Sequence, residues 1–170
     1  MSLNTYSSST IIEFQLLVTR STKDCDLSLN SKESMIHGLQ CWVINQHNEV
    51  LLLKRSPDKK LFPEFWAPVA AAPIKENENI DQVVHRELLD ETGYDGVIVF
   101  GDKIESLNIQ GEEYAIHSFV AKVDFTQPKL NSEHTEWKFV PYKDVTKYKI
   151  TPQSLNVLVD FFNQSKRNSS

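Results

Sequence analysis

The segment 80–92 (IDQVVHRELLDET) constrains the fold most, because a helix with this sequence carries charges among its apolar residues. At about 100° per residue, Ile80, Val84 and Leu88 share one stripe of the helix. Carboxylates lie within that stripe or on its shoulder, at Glu87, Asp90 and Glu91. An amphipathic helix normally keeps its acids on the opposite face, and like charges three or four residues apart repel each other. A bound cation would offset this repulsion, and hard oxygen ligands suit Mg²⁺ or Mn²⁺.

The longer segment 72–94 resembles the signature of the Nudix family, G-x5-E-x7-R-E-U-x-E-E-x-G-U, in which U is an apolar residue. The positions that carry the required residue are Glu78, Arg86, Glu87, Leu88, Glu91 and Gly93. Ala72 stands in place of the first Gly, Asp90 in place of the first Glu of the pair, and Tyr94 in place of an aliphatic residue. The resemblance implies an α/β fold in which a mixed β-sheet is sandwiched between helices (α/β/α).

The resemblance also implies a metal centre on this helix. Its expected ligands for Mg²⁺ (or Mn²⁺) are Glu87, Asp90, Glu91 and the backbone carbonyl of Ala72. By the same resemblance, Glu87 and Glu91 are expected catalytic residues as well. They lie one helical turn apart, so they can touch the same ion or neighbouring ions. Arg86 is expected to act in catalysis by orienting these acids, through a pair with Glu78 or a neighbouring acid. The alternatives are a surface arginine at position 86 and, at position 78, an acid favoured by the helix dipole.

The resemblance implies a general base or a further ligand from outside the signature. Two acid-rich segments qualify, 111–113 and 132–137, and the second resembles an acidic segment that precedes a tryptophan in the family. The candidate catalytic residues are Glu113 and Glu136, with Glu133 ranked close to them; a solvated loop is the alternative for each segment. Histidines without the spacing of a zinc site are expected at the surface or at strand ends: His37, His85 and His134.

The expected substrate-binding residues are Trp66, Trp137 and Arg55. A flat aromatic ring can stack on a base or on another leaving group, which contributes about 1–3 kcal/mol. Core packing is the alternative for both tryptophans.

The implied function is hydrolysis of a diphosphate linkage in a nucleoside diphosphate linked to another moiety, or in a nucleoside triphosphate. Water attacks such a linkage only when the charge of the phosphates is neutralised and a base removes the proton of the water. An alternative is a catalytically weak or silent Nudix-fold module that binds a phosphorylated ligand. Ala71 and Ala72 favour this alternative, because they replace paired glycines of the family and would cost about 1 kcal/mol or more at positive φ.

A distant alternative is an isopentenyl-diphosphate isomerase-like enzyme. The segment 37–66 resembles that side of the superfamily, in which a histidine opens the strand and a Lys-x-x-Phe-Pro-x-x-Trp run follows; here they are His37 and 60–66 (KLFPEFW). The isomerase needs a cysteine shortly after that tryptophan, and this chain has alanines instead. The ADP-ribose branch of the family is also disfavoured. That branch carries a proline some distance after the signature, and no proline occurs here between Gly93 and Pro128.

The whole chain of 170 residues is expected to form one domain, 11–165, between a flexible N-terminus, 1–10, and a tail, 166–170. Its net charge of −5 argues against binding to nucleic acid. The sequence has no apolar run long enough to span a membrane and no signal-peptide pattern. Cys25 and Cys41 form no disulfide framework, so a reducing cytoplasm is expected. The implied partner is a small nucleotide-type diphosphate; dimers are common in the family, so a homodimer is an alternative to a monomer.

Periodicity and turn signals predict the remaining elements. The predicted strands are 11–19, 38–45, 49–55, 97–100, 104–109, 114–124 and 136–141. Gly93 is predicted to end the signature helix in a left-handed turn. A last helix is predicted to begin with Thr151 as its N-cap and Pro152 at its first position. The apolar face predicted for it consists of Leu155, Leu158, Val159 and Phe162.

Overall fold

The computed structural model describes residues 35–71, 73–124 and 126–168. The predicted strand 11–19, the predicted flexible N-terminus, Cys25 and Ala72 lie outside the described residues.

Hydrogen bonds join seven strands of the described residues into one mixed sheet. In chain order they are β1 (Ile36–Ile44), β2 (Glu49–Arg55), β3 (Trp66–Ala67), β4 (Val69–Ala71), β5 (Val97–Ile109), β6 (Glu112–Lys122) and β7 (His134–Pro141). β1 and β2 form a hairpin that pairs Ile44 with Val50. Away from that pair the two strands have different partners: β1 pairs with β4, and β2 pairs with β3. β6 runs parallel to β1, β5 pairs with β6, and β7 pairs with β2.

Two helices cover opposite faces of the sheet. They are α1 (Ile80–Thr92) and α2 (Asn156–Asn168). Successive side chains of a strand point to opposite faces, and Leu53 of β2 packs with Leu88 of α1 whereas Leu52 packs with Leu158 of α2. We call these sides the α1 face and the α2 face. The predicted α/β/α architecture is confirmed.

The bounds of α1 agree with the segment that its sequence predicts, because hydrogen bonds of the two flanking residues set both ends. The side chain of Asn79 caps the N-terminus and accepts hydrogen bonds from the backbone N–H groups of Asp81 and Gln82. Gly93 ends the helix in the predicted left-handed conformation, with φ 73°, and its N–H donates to the carbonyl of Leu89 over 2.8 Å.

The predicted strands 97–100 and 104–109 are parts of one strand, β5. Its register against β6 shifts twice, between Ile98 and Phe100 and between Gly101 and Lys103. A β-bulge accommodates an extra residue without ending the strand, and Asp102, with φ 54°, lies in the second shift. The polar interruption in the sequence is therefore a bulge, not a break between two strands.

The predicted start of the last helix is wrong. Gln153 has φ 58°, which a continuous helix cannot contain, and α2 begins at Asn156 after a turn. The Thr151 hydroxyl pairs with Ser154 in that turn. Val157 and Leu158 are buried, whereas Val159, predicted on the apolar face, is 41% exposed. α2 continues to Asn168, into the segment predicted as a tail, and no helix of the described residues is long and apolar enough to span a membrane.

Candidate active site

The carboxylate of Glu91 is buried on the α1 face, with 2% of the residue exposed. Its Oε1 accepts a hydrogen bond from the backbone N–H of Ala70 in β4, 3.2 Å away. Its Oε2 has no hydrogen-bond partner among the described residues and lies 3.5 Å from Nδ1 of His134. Glu91 therefore occupies the apolar stripe of α1, where the helical pattern puts it.

The surroundings of Glu91 favour its neutral form. Burial, together with the smaller effect of the negative charges of Glu133 and Glu87, raises the pKa of Glu91 to about 8. The hydrogen bond from Ala70 and the positive charge of Lys59 act in the opposite direction. A bound cation would reverse this balance, because it favours the carboxylate over the acid.

His134 lies at the start of β7 with its imidazole buried against Glu91. Both of its ring nitrogens lack a hydrogen-bond partner among the described residues. Burial, together with the smaller effect of the positive charge of Arg55, lowers the pKa of His134 to about 4. The imidazole is therefore neutral near pH 7. The sequence indicates a surface or strand-end position for this histidine, and the structure corrects the first of these: His134 opens a strand but is not at the surface.

A bulge in the pairing of β2 with β7 determines which side chains reach Glu91. Arg55 pairs with His134, and Lys54 pairs with Glu136, so that Thr135 has no counterpart in β2. Because of this shift, His134 points to the α1 face, whereas Glu136 follows Lys54 to the α2 face. The ion pair of Lys54 with Glu136, at 2.6 Å, lies on that second side.

Arg86 connects two acids of the signature on the exposed side of α1. Its Nη1 donates to Oε1 of Glu78 and its Nη2 to Oε1 of Glu87, each over 3.0 Å. The hydrogen bond from the backbone N–H of Lys75, followed by that from Arg86, lowers the pKa of Glu78. The side chain of Glu87 is 20% exposed. Arg86 thus holds Glu87 in place and ties α1 to the loop that precedes it.

The remaining predicted acids do not converge on Glu91. Asp90 is exposed on α1. Glu113 lies in the hairpin between β5 and β6, where it accepts a hydrogen bond from the side-chain amide of Asn108 over 2.6 Å. Within the described part of the chain, which lacks Ala72, no group of three or more His, Cys, Asp or Glu side chains is arranged to hold a metal ion. Of the predicted metal ligands among the described residues, Glu87 and Glu91 lie on the same part of the α1 face, and the charge of Glu87 acts on Glu91.

Glu133 and Lys59 form an ion pair beside this carboxylate. Both charges influence Glu91 and His134. Glu133 is one of the acids that the sequence predicts outside the signature, and it directly precedes the buried His134. Lys59 lies in a charged turn after β2 without a recognisable pattern, so the sequence carries no signal for its role.

The predicted substrate-binding residues lie on different faces. Trp66 is buried on the α2 face, with its ring 5.4 Å from that of Tyr148 and the Nζ of Lys138 4.9 Å from its centroid. Trp137 is partly exposed on the α1 face. Arg55 is half-buried near Glu91 and donates from Nε and Nη2 to the carbonyl of Leu61, over 3.1 and 2.9 Å.

The donor set of the α1 face fits a hard divalent cation. Within the described ranges, Oε2 of Glu91 is a buried carboxylate oxygen without a hydrogen-bond partner, and Glu87 supplies a second carboxylate one turn earlier. Ala71, one of the residues that replace the paired glycines, lies in β4 and has no positive φ. Alanine at this position therefore carries no backbone strain.

Comparisons with known proteins agree with this architecture. A model of the NUDIX domain matches residues 38–161. Isopentenyl-diphosphate Delta-isomerase 1 of Photorhabdus laumondii is 26% identical over 133 residues, which cover 72% of this chain and 73% of that protein. The crystal structure of a MutT protein from Methanosarcina mazei Go1 superposes with a TM-score of 0.66 at 21% identity, covering 83% of this chain and 99% of that chain. An Ap4A hydrolase of C. elegans superposes with a TM-score of 0.65 at 18% identity, covering 78% and 98%.

Proposed function

The chain belongs to the Nudix family, and from this premise we propose that it is a divalent-metal-dependent hydrolase of a diphosphate linkage. The proposed substrate is a nucleoside diphosphate linked to another moiety, or a nucleoside triphosphate. The name of one structural relative, an Ap4A hydrolase, supports a nucleotide-type substrate.

The observation that carries the proposal is the buried carboxylate of Glu91. Its Oε2 has no hydrogen-bond partner among the described residues, and Glu87 lies on the same face. An acid in that position costs stability, since burial disfavours its charged form. Glu91 and Glu87 are the proposed ligands of Mg²⁺ or Mn²⁺, with Asp90 and the carbonyl of Ala72 as the remaining candidates from the signature. When bound, the metal would neutralise the charge of the diphosphate and lower the pKa of a ligated water.

The chain itself would supply the proton acceptor and the contacts that orient the substrate. The oxygen of a water molecule forms a bond to one phosphorus, the bridging P–O bond breaks, and Glu133 accepts the proton of the water. We assign this role to Glu133 because it is the acid outside the signature whose charge reaches Glu91. Arg86 orients Glu87 through the paired hydrogen bonds of its guanidinium.

Arg55 and Trp137 are the proposed contacts to the substrate. The half-buried guanidinium of Arg55 is fixed by the carbonyl of Leu61 and is suited to bind phosphate oxygens. The partly exposed ring of Trp137 is suited to stack on a base. Trp66 is assigned to the core instead, because it packs on the opposite face of the sheet.

The similarity to an isomerase does not extend to the thiol that such an enzyme uses. Ala70 and Ala71 follow Trp66 where the isomerase has its cysteine. Cys41 is buried in β1, and burial raises the pKa of its thiol. Proton transfer at carbon is therefore not proposed for this chain.

The test is a panel of nucleoside triphosphates, dinucleoside polyphosphates and nucleoside diphosphates linked to sugars, incubated with Mg²⁺ or Mn²⁺. We expect metal-dependent release of a phosphorylated product that Glu91→Gln abolishes. The matched control is Glu105→Gln, an acid that contacts Lys103 and Asn156 on the far side of the sheet. Melting shifts with nucleotides but no release of product would indicate the binding module instead, and equal rates for Glu91→Gln and the parent would refute the metal assignment.

A further inference from the structure

Side-chain nitrogen and oxygen atoms that are buried without a hydrogen-bond partner concentrate at one point of the described structure. They are Oε2 of Glu91, Nδ1 of His134 and Nε2 of His134. Buried polar groups in folded proteins are nearly always paired, and leaving one unpaired costs about 1–3 kcal/mol. Their concentration on two touching side chains therefore indicates a functional arrangement.

The distance between these side chains suggests the arrangement that they form. Nδ1 of His134 lies 3.5 Å from Oε2 of Glu91, whereas an N–H···O hydrogen bond has a length of about 2.7–3.2 Å. A movement of about half an ångström would close the contact. Oε1, the other oxygen of Glu91, already accepts a hydrogen bond from Ala70.

We propose that His134 is a positioning residue for Glu91: its Nδ1–H donates to Oε2 and sets the plane of the carboxylate for a divalent cation. The inference rests on the proposed function for the identity of the ion. With Ala70 on Oε1 and His134 on Oε2, the protein holds both oxygens and leaves their remaining lone pairs for the metal. Outer partners of this kind affect metal affinity by about 10–100-fold.

The strand pairing shows why this histidine can be rigid. His134 is held by the pairing of β7 with Arg55, next to the bulge at Thr135. The neighbouring backbone is fixed as well, because the N–H of Ser56 donates to the carbonyl of Glu133 over 2.8 Å. A buried ring between β7 and α1 has little freedom to turn away from Glu91.

The experiment measures Mn²⁺ affinity of the full chain by calorimetry or by EPR of free Mn²⁺, without substrate. We expect His134→Leu to weaken binding about 10–100-fold, and His134→Asn, which keeps an N–H donor, to recover most of the loss. The matched control is His117→Leu, since His117 is also buried on a central strand but contacts Asp102 and His37 instead of Glu91. Its affinity for Mn²⁺ should equal that of the parent.

A double-mutant cycle separates positioning from packing. In a Glu91→Gln background, His134→Leu should cause no further loss of Mn²⁺ affinity, because the group that it positions is absent. Equal losses for His134→Leu and His134→Asn, or no loss for either, would overturn the inference. If Glu91→Gln itself binds Mn²⁺ like the parent, the proposed metal site fails; if Glu91→Gln loses binding but His134→Leu does not, only the positioning role fails.

Discussion

Nδ1 of His134 lies 3.5 Å from Oε2 of Glu91, inside the protein and without another hydrogen-bond partner among the described residues. One residue belongs to β7 and the other to α1, so the contact forms only when the helix packs on the completed sheet. Burial acts on the two groups in opposite directions, since it raises the pKa of the acid and lowers that of the imidazole. Both are therefore neutral near pH 7 when no metal is bound.

The metal-free protein should lose stability as the pH rises from about 6.5 to about 8. Glu91 has a pKa of about 8 in the folded protein against an ordinary value of 4.5. The folded state thus keeps a proton that the unfolded chain has released, and the free energy of unfolding falls by up to about 1.4 kcal/mol per pH unit. His134 acts oppositely, because its pKa falls from 6.5 to about 4 and the unfolded chain binds the additional proton. The two effects oppose each other below pH 6.5, and only that of Glu91 continues above it.

Thermal denaturation in the presence of a chelator, at a series of pH values, measures this dependence. Glu91→Gln should remove the fall above pH 6.5, whereas Glu105→Gln should retain it. A melting temperature of the parent that stays constant or rises across this range would contradict a neutral, buried Glu91.

Arg86→Gln should reduce kcat about tenfold or more with little change in melting temperature, because outer partners of metal ligands affect activity strongly. Its hydrogen bonds to Glu78 and Glu87 lie at a surface where the Arg86 side chain is 50% exposed, and exposed ion pairs contribute about 0–1 kcal/mol to stability. Steady-state kinetics with Mg²⁺ measure the loss of kcat, and thermal denaturation measures the melting temperature. Arg167→Gln, in the last turn of α2, is the control. Similar kinetics for Arg86→Gln and Arg167→Gln would show that Arg86 does not orient Glu87.

Glu133→Gln should reduce kcat about 10²–10⁴-fold, the range that a general base contributes, with a smaller effect on KM. Glu136→Gln should have less effect, because Glu136 pairs with Lys54 on the opposite face of the sheet. Kinetics of the two variants with the same substrate decide between them. A greater loss from Glu136→Gln would exclude Glu133 as the base.

Trp137→Leu should raise KM for a nucleotide substrate by roughly tenfold, since stacking of a base contributes about 1–3 kcal/mol. Trp66→Leu should instead lower the melting temperature, because Trp66 is buried in the core on the α2 face. Kinetics and melting curves of both variants separate the two roles. An unchanged KM for Trp137→Leu would assign this residue to packing alone.

Local patterns in the sequence are sufficient to predict the bounds of α1, the helix that carries the signature. The bounds of α1 follow from the Asn79 cap and from Gly93, and its period puts Glu91 in the buried stripe. β2 also has its predicted bounds. Two other predictions were wrong. Pairing with β6 continues through two bulges and joins two predicted strands into β5. A turn with positive φ at Gln153 precedes α2, which therefore begins at Asn156.

The sequence by itself determined the family, the α/β/α architecture and the presence of Glu91 among apolar residues, because helical period, caps and motif spacing are properties of neighbouring residues. Only the tertiary structure decided which distant side chains meet that carboxylate. A one-residue shift in the pairing of β2 with β7 turns His134 towards Glu91, whereas Glu136 keeps its regular pairing with Lys54 and points to the opposite face of the sheet. Such a shift reverses the face to which a strand's side chains point, and it depends on the pairing of two distant strands, which no local pattern records.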